Sequence, residues 1–515
     1  MKNNDFLMVL LILDGWGIAP PNRGNAISLA EPENFIKFWN KYPHTMLEAS
    51  GKSVGLPQMQ SGNSEAGHMN IGAGRIVLQD SVIISRSINE GTFFKNAAFL
   101  EAIKHVRKNN SSMHLMGLLT SRQSAHADPD HLLALLTFLR LQKIDKVFLH
   151  LFTDGRDSPQ YEAIKLLRRL KTAFLNGEAV TSVIGRFYAM DRKKDWARTE
   201  AAYDCMTLGS KHTATHSDDA IMHSYNMGVT DEYILPTTIV DNDKKPIGLI
   251  SDNDSVIFFN LRSDRARQMA KPFVQTKFEE LGGFKRKKIL KNLFFVAMTD
   301  FGPDLDSIAT AYPSVDYKET LPVALKDYKQ LYISETEKYA HVTYFINGGF
   351  ADPVAGEQRI RIPSPNVKNY AETPEMSGVK LTNKIISSLD KYNFILANFP
   401  NPDMIGHTGD LVAGIKAVKY VDQFIGKIVL EVLKRNGTVV ITADHGNIEK
   451  MIDLETGEIF TEHTSNPVPF ILIRKKYNKI FLKKKGILGD IAPTVLDLQN
   501  IKKPSLMRGK SLIIR

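Results

Sequence analysis

The chain has 515 residues, 43% of them hydrophobic, enough to bury more than one core and to suggest two domains. Lys and Arg outnumber Asp and Glu by 66 to 56, and the formal charge of +10 would steer an anionic small molecule inward. The single cysteine, Cys205, excludes an intramolecular disulfide and fits a reducing cytosol, and no apolar run approaches membrane-spanning length.

Residues 6–13 form the first strong apolar run and stop at Asp14. The run is short and lacks a small-residue cleavage pattern, so it reads as a buried parallel strand rather than a secretion signal. Next comes Ser61-Gly62-Asn63-Ser64-Glu65-Ala66-Gly67-His68, a small-residue segment with one hydroxyl among charged neighbours. Two further apolar runs, 147–152 and 256–259, lead into segments containing Arg156 with Asp157 and Arg262 with Arg265, while Arg186 and Arg192 lie between them. Ser263 is expected to open a helix, which would put Arg262 and Arg265 on one face. Run 330–334 precedes Lys338, and run 394–397 precedes Asp403 and His407. Run 438–442 precedes Asp444 and His445, and His463 precedes run 468–473.

Ligands collect at the carboxyl ends of strands in open α/β sheets, so Asp14, Asp403 and Asp444 are expected to converge despite their separation. Carboxylates mixed with imidazoles suit Mn²⁺ or Zn²⁺ better than Ca²⁺ or Mg²⁺. Three aspartates and an ionised Ser64 would balance two divalent cations, which would make the serine a nucleophile without a dedicated base. Guanidinium groups bind phosphate and carboxylate in bidentate fashion, so the arginine set suits a substrate carrying both. His44, His114, His131 and His150 read as structural, and Cys205 as a small packed residue. The lysine-rich runs 285–288 and 483–485 read as solvated surface, since no nucleic-acid-binding motif accompanies them.

Metal-ligand candidates occur only before residue 65 and after residue 402, with the arginines between them. The expected fold is therefore α/β with two domains. One is a discontinuous metal domain (1–80 and 313–515) with a mostly parallel central sheet; the other is an α/β domain (81–312) inserted into it. Gly/Pro-containing sequence between Pro303 and Pro313 would serve as one linker.

Gly62-Asn63-Ser64-Glu65-Ala66-Gly67-His68 followed by Asn70-Ile71-Gly72-Ala73-Gly74-Arg75 resembles the nucleophile motif of cofactor-independent phosphoglycerate mutases, in the alkaline phosphatase superfamily. The similarity continues through Leu13-Asp14-Gly15-Trp16-Gly17, Asp154-Gly155-Arg156-Asp157, Gly185-Arg186-Phe187-Tyr188, Asn260-Leu261-Arg262-Ser263-Asp264-Arg265 and Glu335-Thr336-Glu337-Lys338. It ends with Asn401-Pro402-Asp403, Ala443-Asp444-His445-Gly446 and His463-Thr464-Ser465-Asn466, all in the family's order along nearly the whole chain.

The resemblance implies an alkaline-phosphatase-like metal domain and an inserted transferase domain. It implies that Asp403, His407 and His463 hold one metal ion, and Asp14, Ser64, Asp444 and His445 the other. Mn²⁺ is the favoured ion, with Zn²⁺ or Fe²⁺ as alternatives. It further implies a phosphoserine on Ser64, an acid/base role for Asp157, and substrate contacts from His126, Arg156, Asp157, Arg186, Arg192, Arg262, Arg265 and Lys338. The expected reaction interconverts 3- and 2-phosphoglycerate without 2,3-bisphosphoglycerate, in a cytoplasmic monomer with no nucleic-acid or membrane partner, closing its domains to exclude water. Lys338 would protonate the leaving alkoxide or neutralise the transferring group. Glu65 and His68 read as supporting structure, Asn63 as a phosphoryl contact, and His341 as a candidate to support the metal ligands. The segment Arg122-Gln123-Ser124-Ala125-His126-Ala127-Asp128 departs from the family pattern, with Asp128 where a second histidine is usual. The alternatives are a metal-dependent phosphatase or phosphodiesterase of the same superfamily, a phosphopentomutase, and a noncatalytic basic protein that binds RNA.

Overall fold

The apolar runs that lead to Asp14, Asp403 and Asp444 are strands Met8–Leu13, Phe394–Phe399 and Thr438–Thr442, with every residue buried. Burial on both faces explains their unbroken hydrophobicity: a half-exposed strand would alternate. The computed structural model describes residues 6–122, 124–315, 317–477 and 479–514, and Gln123 lies outside them. The chain forms two compact units, Met1–Gln79 with Val315–Arg515, and Asp80–Ser314.

Unit 1 holds an eight-stranded sheet. Its strands run in the order Gln358–Ile362, Gln330–Glu335, Phe394–Phe399, Met8–Leu13, Thr438–Thr442, Val468–Ile473, His44–Glu48 and Lys485–Ile487. The first five are mutually parallel, and Val468–Ile473 is antiparallel to both its neighbours. Leu13 pairs with Phe399 and Ile12 with Thr442, so three central strands end almost level. That register brings residues far apart in sequence to one edge of the sheet. The helix Leu411–Lys434 buries Val421, Phe424, Ile425, Ile428 and Val432, a stripe at three- and four-residue spacing. Each such side chain is worth roughly 1.5–3 kcal/mol when removed from water. The apolar layer can therefore offset the cost of the buried charges at the strand ends. Among the described residues no helix is long and apolar enough to cross a membrane.

Unit 2 repeats the plan. Its eight strands run Ala309–Tyr312, Phe294–Thr299, Ser255–Phe258, Met113–Leu119, Val147–Thr153, Ala179–Gly185, Thr237–Ile239 and His212–Ala214. All neighbours are parallel except Ala179–Gly185 with Thr237–Ile239. Cys205 is buried in helix Trp196–Thr207, and burial pushes its thiol up to about 12, which makes it inert. His114 and His150 are buried in a relay from Asp254 to Ser182, and His131 bonds the Ser85 hydroxyl.

Candidate active site

Four adjacent parallel strands of unit 1 deliver Lys338, Asp403, Asp14 and Asp444 just beyond their carboxyl ends. Ser64 arrives from the side as the first residue of the 10-residue helix Ser64–Ala73, whose N-cap Asn63 accepts from Ala66 N at 2.8 Å. Gly67 lets this helix sit against the Asp444 loop, since a Cβ there would lie 2.6 Å from the Asp444 carbonyl oxygen. At the helix N-terminus, Ser64 lies where backbone N–H groups favour an anion.

The side chains converge tightly. Lys338 Nζ donates to Asp14 Oδ1 at 2.7 Å, to Ser64 Oγ at 2.6 Å and to Asp403 Oδ2 at 2.6 Å. Ser64 Oγ also lies 2.9 Å from His445 Nε2 and 3.2 Å from Asp14 Oδ1, and the residue is only 5% exposed. Burial opposes the Lys338 charge, but Asp14, Asp403 and Asp444 outweigh it and hold the ammonium above its ordinary range. Burial likewise raises the Asp14 and Asp403 carboxyls, and Lys338 with the neighbouring histidines takes both below the usual range. His445 is lowered by burial but raised more by Asp444, Asp14 and Asp403, to about 9. An ammonium seated between Asp14 and Asp403 shows that this space accepts positive charge.

Asp403, His407 and His463 meet in the same way. His407 Nδ1 contacts the Thr461 carbonyl at 2.8 Å, and His463 Nδ1 contacts the Gly62 carbonyl at 2.9 Å. A carbonyl can only accept, so each Nδ1 carries a proton and each Nε2 is aimed inward. Those two Nε2 atoms lie 3.0 Å apart, and 3.3 Å and 3.2 Å from Asp403 Oδ1. Electron-rich atoms packed this closely require a proton or a cation. Asp444 Oδ2 is buried without a hydrogen bond, with His68 Nδ1 at 3.2 Å and His445 Nε2 at 3.5 Å. Among the described residues, two groups have metal-binding spacing: Asp403, His445 and His463, and Asp14, His68 and Asp444. The donors fit divalent metal ions.

His445 belongs to the first group, 3.9 Å from Asp403 Oδ1, and also reaches the second, 3.5 Å from Asp14 Oδ1. His68 is closer to the centre than its reading as supporting structure implies. Its Nδ1 touches the Ser64 carbonyl at 2.9 Å and its Nε2 the Asn398 amide at 3.0 Å, while that amide donates to Asp14 Oδ2 at 2.6 Å. The signal was its position four residues after Ser64, one helical turn away. His341 lies beside His68, with ring centroids 5.4 Å apart and the rings tilted by 59°.

Unit 2 gathers the arginines by the same strand-end rule. Arg186 is buried, with NH1 2.5 Å from Asp154 Oδ1 and 3.2 Å from Asp157 Oδ1. Arg192 and Arg262 share Asp264, at 2.9 Å and 3.2 Å, and Arg262 immediately precedes helix Ser263–Val274. Burial and the charges of Arg192, Arg186 and Arg156 depress the Arg265 guanidinium, which marks one crowded positive cluster. Arg156 is half exposed and 3.6 Å from Glu232. Burial raises the Asp157 carboxyl, but Arg186 and the Ser124 hydroxyl outweigh it and take the carboxyl below its usual range, so it is ionised. Burial takes His126 down to about 4, so it is neutral. Asp154, absent from the expected site, accepts from Arg156 N at 3.2 Å and Asp157 N at 3.1 Å and braces this loop. Asp128, the departure from the family pattern, is the N-cap of helix Pro129–Leu141 and accepts from Asp130 N at 2.8 Å.

A family model described as the Metalloenzyme superfamily matches residues 7–503. The 2,3-bisphosphoglycerate-independent phosphoglycerate mutase of Clostridium kluyveri is 46% identical over 98% of this chain and 99% of its own. The chain belongs to that family. The Moorella thermoacetica member is 44% identical over 99% of this chain and 98% of its own. Among solved structures, Leishmania mexicana phosphoglycerate mutase at low cobalt concentration matches with a TM-score of 0.76 and 27% identity, covering 100% of this chain and 99% of that one.

Proposed function

We infer that this isomerase interconverts 3- and 2-phosphoglycerate through a phosphoserine on Ser64, without 2,3-bisphosphoglycerate. The observation that carries the reading is the Ser64 hydroxyl at a helix N-terminus, buried among Lys338, His445 and Asp14. Asp403, His407 and His463 would hold one divalent cation, and Asp14, Ser64, Asp444 and His445 the other, with Mn²⁺ the preferred ion. When bound, these cations supply Lewis-acid stabilisation and lower the pKa of the serine hydroxyl.

Ser64 Oγ, whose proton would pass to solvent as the cations bind, attacks the substrate phosphorus, and the bond from phosphorus to the glycerate oxygen breaks. The electron pair stays on that oxygen, which takes a proton from Lys338 Nζ. Arg186, Arg192, Arg262, Arg265 and Arg156, with His126, hold the carboxylate and hydroxyls of glycerate in unit 2. Asp157 then accepts the proton of the other hydroxyl, whose oxygen attacks phosphoserine; the bond from phosphorus to Ser64 Oγ breaks, Oγ keeps the electron pair, and the proton on Asp157 returns through solvent to Lys338 Nζ. Arg186 keeps Asp157 ionised and ready to accept, at the expense of basicity in the free protein. Unit 1 is thus the metal domain and unit 2 the transferase domain. Action as a cytoplasmic monomer, without nucleic-acid or membrane partners, belongs to the same reading, and the single buried Cys205 suits a reducing compartment.

The test is a mutase assay on metal-stripped protein, with Mn²⁺, Zn²⁺ or Fe²⁺ restored separately and no bisphosphoglycerate added. Conversion of 3- to 2-phosphoglycerate without inorganic phosphate is expected, with Mn²⁺ most effective. Phosphate release equal to substrate loss would replace this reading with a phosphatase.

A further inference from the structure

Glu449 has no assigned role, yet it is fully buried in the loop that follows strand Thr438–Thr442. Its Oε2 accepts from Gly17 N at 3.1 Å and from Asn447 N at 2.8 Å. Its Oε1 accepts from Asn466 Nδ2 at 2.9 Å and from the Thr464 hydroxyl. These donors come from three separate loops. Gly17 follows Asp14, Asn447 follows Asp444 and His445, and Thr464 follows His463.

The bonding continues inward from those donors. Asn447 Nδ2 donates to Asp403 Oδ1 at 3.1 Å, and Thr464 N donates to the Gly446 carbonyl at 2.9 Å. Gly17 and Gly446 make room for the carboxylate, since a Cβ on either would overlap it. Four donors fill the usual accepting capacity of one carboxylate, and they are neutral amides and a hydroxyl rather than a lysine or arginine. A structural ion pair would hold one partner; this group holds the spacing of three loops.

We propose that Glu449 is a positioning residue that fixes the Asp14, Asp444–His445 and His463 loops relative to one another, and so sets the affinity and coordination geometry of the metal centre. The inference rests on the metal-dependent reading above. Glu449→Gln keeps the shape of the side chain but turns one oxygen into a donor that faces two donors. Wild-type and variant proteins are stripped with a chelator, their metal-free melting temperatures measured, and each is titrated with Mn²⁺ by calorimetry. The visible spectra of their Co²⁺ forms are then compared.

The expected result is an Mn²⁺ affinity about tenfold or more below wild type, with a shifted Co²⁺ spectrum. Wild-type Mn²⁺ affinity and an unaltered Co²⁺ spectrum in the variant overturn the proposal, whether or not the melting temperature falls. Should Glu449→Gln not fold, Asn466→Ala, which removes a single donor, decides instead: weaker Mn²⁺ binding supports the proposal and unchanged binding overturns it. A wild-type protein that takes up no metal contradicts the metal centre itself, and this inference with it.

Discussion

Unit 1 and unit 2 share a scaffold and differ in the charge it carries. Each has a largely parallel eight-stranded sheet with functional candidates just past the strand ends. In unit 1 those ends carry Asp14, Asp403 and Asp444 with imidazoles, and in unit 2 they carry Arg156, Arg186, Arg262 and Arg265. One edge gathers negative charge and suits cations; the other gathers positive charge and suits a phosphate or carboxylate. The strand frame brings groups together, and the loop residues decide the chemistry.

The sharpest way to separate the two roles is Ser64→Ala. Turnover is expected to fall by about 10⁴-fold or more, as when a covalent nucleophile is lost. The melting temperature should stay near wild type, and steady-state assays with thermal melts check both. Arg156→Ala probes the other unit with a smaller effect. This side chain is half exposed and makes one long contact with Glu232, so its loss should leave the fold intact. Loss of a charge-assisted hydrogen bond to substrate is worth roughly 1.5–3 kcal/mol, or about a 10- to 150-fold rise in KM. A large fall in kcat with KM unchanged would place Arg156 in the chemistry instead of in binding.

The pH profile should belong to unit 1 alone. Metal ligands must be deprotonated, so protons compete with the cation and activity should fall as pH drops through roughly 7 to 6. Added Mn²⁺ should move that limb to lower pH. His126 in unit 2 is depressed to about 4 by burial, so it stays neutral across this range and adds no limb. A limb that does not respond to metal concentration would transfer the titration to another group.

The strands around both sites were legible because residues buried on both faces leave continuous apolar runs, as at Met8–Leu13 and Phe394–Phe399. The aspartates stand out for the same reason, since each follows such a run within a few residues. Lys338 was ambiguous, because its burial depends on carboxylates distant in sequence. Glu449 carried no local signal, and Asp154, although it opens the Asp154-Gly155-Arg156-Asp157 motif after run 147–152, did not stand out from its neighbours. Their role lies in backbone N–H groups and loop side chains that only the folded chain brings into reach. Asp128 departs from the family pattern, and its side chain does local work as a helix cap. Asp128→Ala should therefore cost about 0.5–2 kcal/mol in a denaturant melt, with little change in kcat.

The central claim is the passage of the phosphoryl group through one serine. Metal-loaded protein mixed with 3-phosphoglycerate, quenched in acid and analysed by peptide mass spectrometry should carry one phosphate on Ser64. An unmodified Ser64 under turnover conditions, or phosphate on another side chain, would contradict the account.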